Sequence, residues 1–248
     1  MTVTQRPTHR PEFAPADPLR RTATVVGWLF VLTYVTSIAA KFAFYPPLFE
    51  DGYITGPGED TRVLWGAFCE AVLIVANIGT AVALFSVLKR YHENLALGFV
   101  AARIMESVFI GVGLLSVLTV VTLRQDLGAG GADSATLTTV GDALLTLQEW
   151  TFYVGPGLVV GVGNGLILGY LMYRSGLVPR PMAVLGLVGG TFLCLSGSAA
   201  MLGLIEPGSL WQNVATIPEF FWELSLGVYL IVRGFKPSPV TAGMTDAR

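Results

Sequence analysis

The chain reads as an all-α integral membrane protein, a bundle of six transmembrane helices. Three observations carry that reading. Only 13% of the 248 residues are charged while 53% are hydrophobic, against roughly 25% charged in an average soluble domain. The mean hydropathy is +0.64. The apolar residues collect in runs of about 18 or more, the length that crosses a hydrocarbon layer at 1.5 Å per residue.

Residues 1–19 carry Pro7, Pro11, Pro15 and Pro18 and little apolar surface, so they read as a disordered tail. The first span covers 23–44. Ser37-Ile38-Ala39 has the small residues of a cleavage site, but the apolar run continues through Phe42 and Phe44, so the span is retained. Prolines and glycines between Pro46 and Gly58 mark a loop. The second span covers 63–88, and residues 89–94 connect it to the third, 95–123. Asp133-Ser134 has the chemistry of a helix start, so a short amphipathic helix is expected over 134–148. The fourth span covers 150–173. Pro179 and Pro181 bracket the turn into the fifth, 182–205, and the sixth runs over 218–235. The membrane domain is therefore 20–236, with a short tail at 237–248.

Orientation follows from lysine and arginine placement. Eleven of the fifteen basic residues fall in the two tails, at Lys89-Arg90, and at Arg174 and Arg180, all on one face. Both termini are thus expected in the cytoplasm, with the protein in the inner or plasma membrane. Trp28, Trp65, Trp150, Trp211, Tyr45 and Tyr53 lie near span ends and suit an aromatic belt.

Five ionisable residues fall inside spans: Lys41, Glu70, Arg103, Glu106 and Glu223. A charge at a span centre costs about 2.5–3.5 kcal/mol on insertion scales, so it persists where it is paired or faces water. Arg103 and Glu106 are three apart and share a helix face. Depth counted from the span midpoints gives two layers. One holds Arg103, Glu106, Asn77 and Asn164, the other Glu70, Glu223 and Lys41. Two bases face three acids, and the surplus carboxyl is assigned to Glu70 or Glu223. The set reads either as a ligand or proton site or as a structural clasp, and the first layer, where Arg103 and Glu106 satisfy each other, suits the clasp better.

Gly157, Gly161, Gly165 and Gly169 repeat every fourth residue, a smooth stripe that lets a neighbouring backbone approach. It serves helix packing, or the seam of a homo-oligomer. Gly161-Val162-Gly163-Asn164-Gly165 has no strand before it, so it is not a nucleotide loop. Cys69 and Cys194 sit in apolar runs and read as small packing residues. The only histidines are His9 and His92, which excludes a haem held by two intramembrane histidines. No catalytic residue, metal site or cofactor is expected, and a net charge of −2 gives no nucleic-acid footprint. The expected partner is the lipid bilayer.

Four stretches carry a family resemblance: RRTATVVGWLFVLTYV, RYHENLALGFVAARIMESV, GYLMYRSGLVPRPMAVLGLVGG and PEFFWELSLGVYLIVRGFKP. Together they resemble the bacterial six-span membrane proteins of domain-of-unknown-function family 4386, over residues 20 to 236. The most specific pieces are Tyr170 to Arg180 and the span with Arg103 and Glu106. The resemblance implies the six-helix fold and no activity. From sequence, the protein is expected to be a multi-pass membrane protein of unknown biochemical role, with binding or transport of a small ligand or proton at the buried polar site as the first reading. The alternatives are a structural or regulatory membrane protein and, more weakly, an enzyme acting on a lipid-borne substrate.

Overall fold

In the computed structural model, which describes residues 18–50, 52–56, 58–128 and 134–242, all regular structure is helical. The tail reading for residues 1–17 and the last residues of the C-terminal tail lie outside these described residues. Helix α1 (Pro18–Ile38) continues through a π-helical segment (Ala39–Phe44). Helix α2 (Asp60–Gly128) is 69 residues long. Helix α3 (Ser134–Phe152) runs on through two π-helical segments (Tyr153–Val159 and Gly161–Leu168) into α4 (Gly169–Ser175). Helices α5 (Arg180–Met201) and α6 (Leu210–Val232) complete the fold.

Five helices among the described residues are long and apolar enough to cross a membrane, rather than six. The difference arises at residues 89–94. This stretch was expected to be a connection, but it keeps helical hydrogen bonding, and only His92 leaves helical geometry, at φ −156° and ψ 99°. Helix α2 folds back there. Asn77 meets Glu106 and Asp60 meets Arg124, each pair about equally distant from His92 along the chain. Its two limbs, 60–91 and 93–128, are therefore antiparallel.

A second correction concerns residues 134–148. They do not form a separate amphipathic helix but lead into the next span without a break, giving one apolar element from Ser134 to Ser175. The third correction is α6, which begins at Leu210 and carries Pro218 inside it. The sequence reading begins the span at that proline. Gln212 instead anchors the start, its Oε1 accepting from the Gly208 amide at 2.7 Å.

The outside of the bundle is apolar. Val75, Leu115, Leu195 and Trp211 are 71%, 64%, 64% and 74% exposed, a distribution that suits lipid as the surrounding medium. Trp65 and Trp211 face outward as a belt requires, but Tyr45 and Tyr53 are buried. Their hydroxyls hydrogen-bond Glu70 and Asp60, so both tyrosines face protein instead of headgroups.

Two apolar clusters fill the interior. One gathers Phe30, Leu84, Phe99, Leu171, Trp222 and Leu226 from α1, both limbs of α2, α4 and α6. The other gathers Ala40, Tyr45, Leu48, Val63, Val117 and Val120. Along α1 and the two limbs of α2, buried Thr33, Thr36, Asn77, Thr80, Arg103 and Glu106 fall between these clusters. Small residues set the crossings. A Cβ on Gly27 of α1 would lie 2.6 Å from the Gly227 carbonyl oxygen of α6, so the two backbones touch. Arg20 then binds the Leu230, Ile231 and Val232 carbonyls at 2.9, 2.6 and 3.2 Å, adding to the Gly234 amide on Leu230 and supplying donors to the last carbonyls of α6.

Candidate functional site

The centre of the bundle holds a buried polar layer. Arg103 on the second limb of α2 is 2% exposed. Its guanidinium donates to Glu106 at 2.8 Å, to Asn77 Oδ1 at 2.6 Å and to Thr80 Oγ1 at 3.3 Å. Asn77 returns a bond to Glu106 Oε1 at 2.9 Å. Helical spacing brings Arg103 onto the face of Glu106, and the turn at His92 brings the first limb alongside. Arg103 also lies 5.8 Å from the Phe30 ring centroid, which favours its charge.

Asn164 sits in the second π segment and is fully buried. Its amide donates to Glu223 Oε1, and its backbone carbonyl accepts from the Trp222 indole at 3.0 Å. Both bonds fix α6 against the π segment. Glu223 therefore belongs with Asn164, Arg103 and Glu106, and not with Glu70 and Lys41. The reason is the true start of α6. Extending the helix back to Leu210 moves its midpoint towards the N-terminus and carries Glu223 into the other layer.

The same shift uncovers Glu219, which the sequence reading left at a span end. It lies one turn before Glu223, is 2% exposed, and neither carboxyl oxygen has a hydrogen-bond partner. The i to i+4 spacing from Glu223 was the available signal. Reading Pro218 as a helix terminus hid it.

Glu70 and Lys41 are close but not paired. Glu70 accepts from the Tyr45 hydroxyl at 2.8 Å. The Lys41 ammonium lies 4.1 Å from the Phe152 ring centroid, and Glu149 of α3 is the acid whose charge acts on it. Lys41, Glu70, Glu149 and Tyr153 share a cavity of about 240 Å³.

A larger cavity of about 540 Å³ lies beside the central layer. Its walls include Asn77, Arg103, Glu106, Glu219 and Glu223, with Tyr34, Phe42, Phe152, Phe220 and Phe221 as aromatic surface. Lys41 borders both cavities. The larger one falls within the range of about 300–1,000 Å³ typical of small-molecule sites, which are apolar with a few convergent polar groups. Both π segments that flank the cavity, at Lys41 and at Pro156, widen the helix where they line it. Such bulges are frequent at functional sites.

The glycine stripe is spent inside the chain. A Cβ on Gly165 would lie 2.2 Å from the Gly190 Cα, one on Gly161 2.9 Å from the Gly190 carbonyl oxygen, and one on Gly169 3.2 Å from the Leu187 amide nitrogen. These three face α5. Gly157 has only the Phe152 carbonyl of its own turn nearby, at 3.8 Å. Three of the four glycines thus serve helix packing within the chain. A four-residue step overshoots an α turn and undershoots the wider π turn, so mixing the two keeps the stripe straight. Cys69 and Cys194 are both free and half-buried.

Among the described residues no group of three or more His, Cys, Asp or Glu could hold a metal ion. The apolar exterior, the span-length helices and the buried charged layer together define a helical membrane-embedded protein with a largely apolar cavity beside a polar layer. The family model of DUF4386, a domain of unknown function, matches residues 25–234, and the chain belongs to that family. No curated protein and no solved structure matches it.

Proposed function

We propose that the protein binds a small molecule within the bilayer, in the 540 Å³ cavity, as a carrier or a ligand-responsive membrane protein. The observation that carries this is the cavity itself, whose largely apolar lining includes Lys41, Arg103, Glu106, Glu219 and Glu223. A bundle that needed its charges only for cohesion would close apolar side chains around them. Here Arg103, Glu106, Asn77 and Thr80 form a closed hydrogen-bonded clasp, while Glu219 and Glu223 on α6 are the acids left for a ligand. The two limbs of α2 each cross the membrane in this reading, giving six crossings with both termini in the cytoplasm. Basic residues at Lys89, Arg90, Arg174, Arg180 and Arg233 support that orientation.

The test is a thermal-stabilisation screen of purified protein in detergent against a panel of amphiphilic cations, anions and neutral compounds. Arg103→Ala and Glu223→Gln serve as controls. A compound that stabilises the wild type and loses its effect in Glu223→Gln supports the reading. A panel that leaves the unfolding temperature unmoved speaks for a purely structural role of the charges.

A further inference from the structure

Four polar atoms of the central layer are buried without a hydrogen-bond partner: Arg103 Nε, Asn164 Oδ1 and the two carboxyl oxygens of Glu219. Three of the four are acceptors and one is a donor. The charge census leans the same way. Glu106, Glu219 and Glu223 line the cavity, and its two bases are Arg103 in the central layer and Lys41 at the border with the smaller cavity. The Arg103 guanidinium is committed to Glu106, Asn77 and Thr80. A buried polar atom left unsatisfied is costly, so what this layer lacks is a donor carrying positive charge. An alkylammonium group supplies three N–H donors and one positive charge. The rest of the cavity asks for an apolar body, and the rings of Tyr34, Phe42, Phe220 and Phe221 offer faces on which a cation is held favourably.

We infer that the ligand is an organic ammonium ion with an apolar body, its ammonium group seated against Glu219 and Glu223. This rests on the cavity being a binding site and narrows the chemistry of its occupant. Anionic ligands are disfavoured because three acids outnumber the two bases of the cavity, Arg103 is already paired, and Lys41 lies over the Phe152 ring at 4.1 Å under the charge of Glu149. Neutral ligands of the same shape fill the cavity but leave the Glu219 oxygens without a charged donor. The carboxyl of Glu219 rests between Gly165 and Gly189, where any Cβ would come within 2.9 and 2.6 Å of its Oε2. The two glycines therefore give this side chain its place.

The experiment compares three near-isosteric probes on the purified full chain by calorimetry and thermal shift: 4-phenylbutylammonium, 4-phenylbutanol and 5-phenylpentanoate. The ammonium ion should bind about tenfold or more tightly than the alcohol, since a hydrogen bond to a charged group is worth that factor, and the carboxylate should bind least. Glu219→Gln and Glu223→Gln should each erase most of the preference for the ammonium ion over the alcohol. The unfolding temperature without ligand serves as the folding control. If one variant fails to fold, the other decides. If both fail, the ranking of the three probes on the wild type decides. Equal or tighter binding of the alcohol or the carboxylate overturns the ammonium assignment and leaves the cavity reading standing. Retention of the full preference in both folded variants also overturns it. Absence of binding by all three overturns it too, and an empty wider screen would then take the cavity reading with it.

Discussion

The clasp between the limbs of α2 gives the sharpest test of how the charges are held. Arg103→Met keeps the length and much of the volume of the side chain but removes the charge and three hydrogen bonds. Glu106 loses its 2.8 Å ion pair and keeps only the Asn77 amide. The Asn77 carbonyl loses its 2.6 Å donor. Two magnitudes compete. Neutral interhelical hydrogen bonds in membranes average about 0.6 kcal/mol, which would put the whole loss near 1–2 kcal/mol. Stranding a buried carboxylate by removing its partner costs about 3–5 kcal/mol. With side-chain exposures of only 3% and 7% for the pair, the second effect governs, and Arg103→Met should cost about 3 kcal/mol or more. The double variant Arg103→Met/Glu106→Gln removes the stranded charge while Asn77 still has an amide oxygen to donate to. It should recover most of the loss, leaving a deficit of about 1 kcal/mol. The assay is reversible unfolding in mixed micelles with increasing SDS, followed by far-UV circular dichroism. A single variant within 1 kcal/mol of wild type, or a double variant no better than the single, would refute the claim that charge compensation organises this layer.

Three further predictions follow from other parts of the structure. Gly165→Ala drives a methyl into the Gly190 backbone and should cost about 1–3 kcal/mol or more by overpacking. Gly157→Ala, with open space around it, should fold as the wild type does, and comparison of unfolding temperatures and membrane yields checks both. On the loop side, Arg124 binds Asp60 at 2.5 Å and the carbonyls of Tyr53 and Gly56. Arg124→Gln should therefore speed proteolysis and hydrogen exchange at residues 52–56 while the spans stay protected. Burial first, and then the hydrogen bond to Asp60, raise the Tyr53 hydroxyl above the ordinary tyrosine range. A raised folded pKa means this contribution is complete below about pH 10, the unfolded tyrosine value. It is lost as pH climbs beyond that, so loop protection should be flat through neutral pH and fall only in strong alkali. Finally, six crossings place residue 59 and residue 93 on opposite sides. Single cysteines at Glu59 and Glu93, in a Cys69→Ala/Cys194→Ala background, should label from opposite faces of sealed vesicles. Labelling of both from one face would refute six crossings.

The site was half legible in the sequence. Arg103, Glu106 and Asn77 were placed in one layer because their contacts are short range in depth. Counting residues along two spans locates them, and helical spacing supplies the shared face. Glu223 was misplaced and Glu219 missed for a single reason: both depend on where α6 begins. Pro218 is a local breaker by its chemistry, and only packing against α1 and α5 shows that the helix accommodates it. Lys41 is expected from sequence to serve Glu70 or Glu223, but its surroundings come from Glu149 and Phe152 of α3, whose approach no periodicity in α1 encodes.

Composition and hydropathy alone determine that the chain is helical and built for lipid. They reflect the solvent, and a backbone without water has few ways to satisfy its hydrogen bonds. The intramembrane charges are legible for the same reason, since each is an exception to that solvent. Tertiary structure alone decides which carboxyls are compensated. It brings Asn77 to the Arg103–Glu106 pair, turns the glycine stripe inward onto Gly190, and leaves Glu219 without a donor at the edge of an open cavity. Those pairings depend on how helices distant in sequence cross. Close packing of small residues sets those crossings, and a one-dimensional pattern of apolar residues does not specify them.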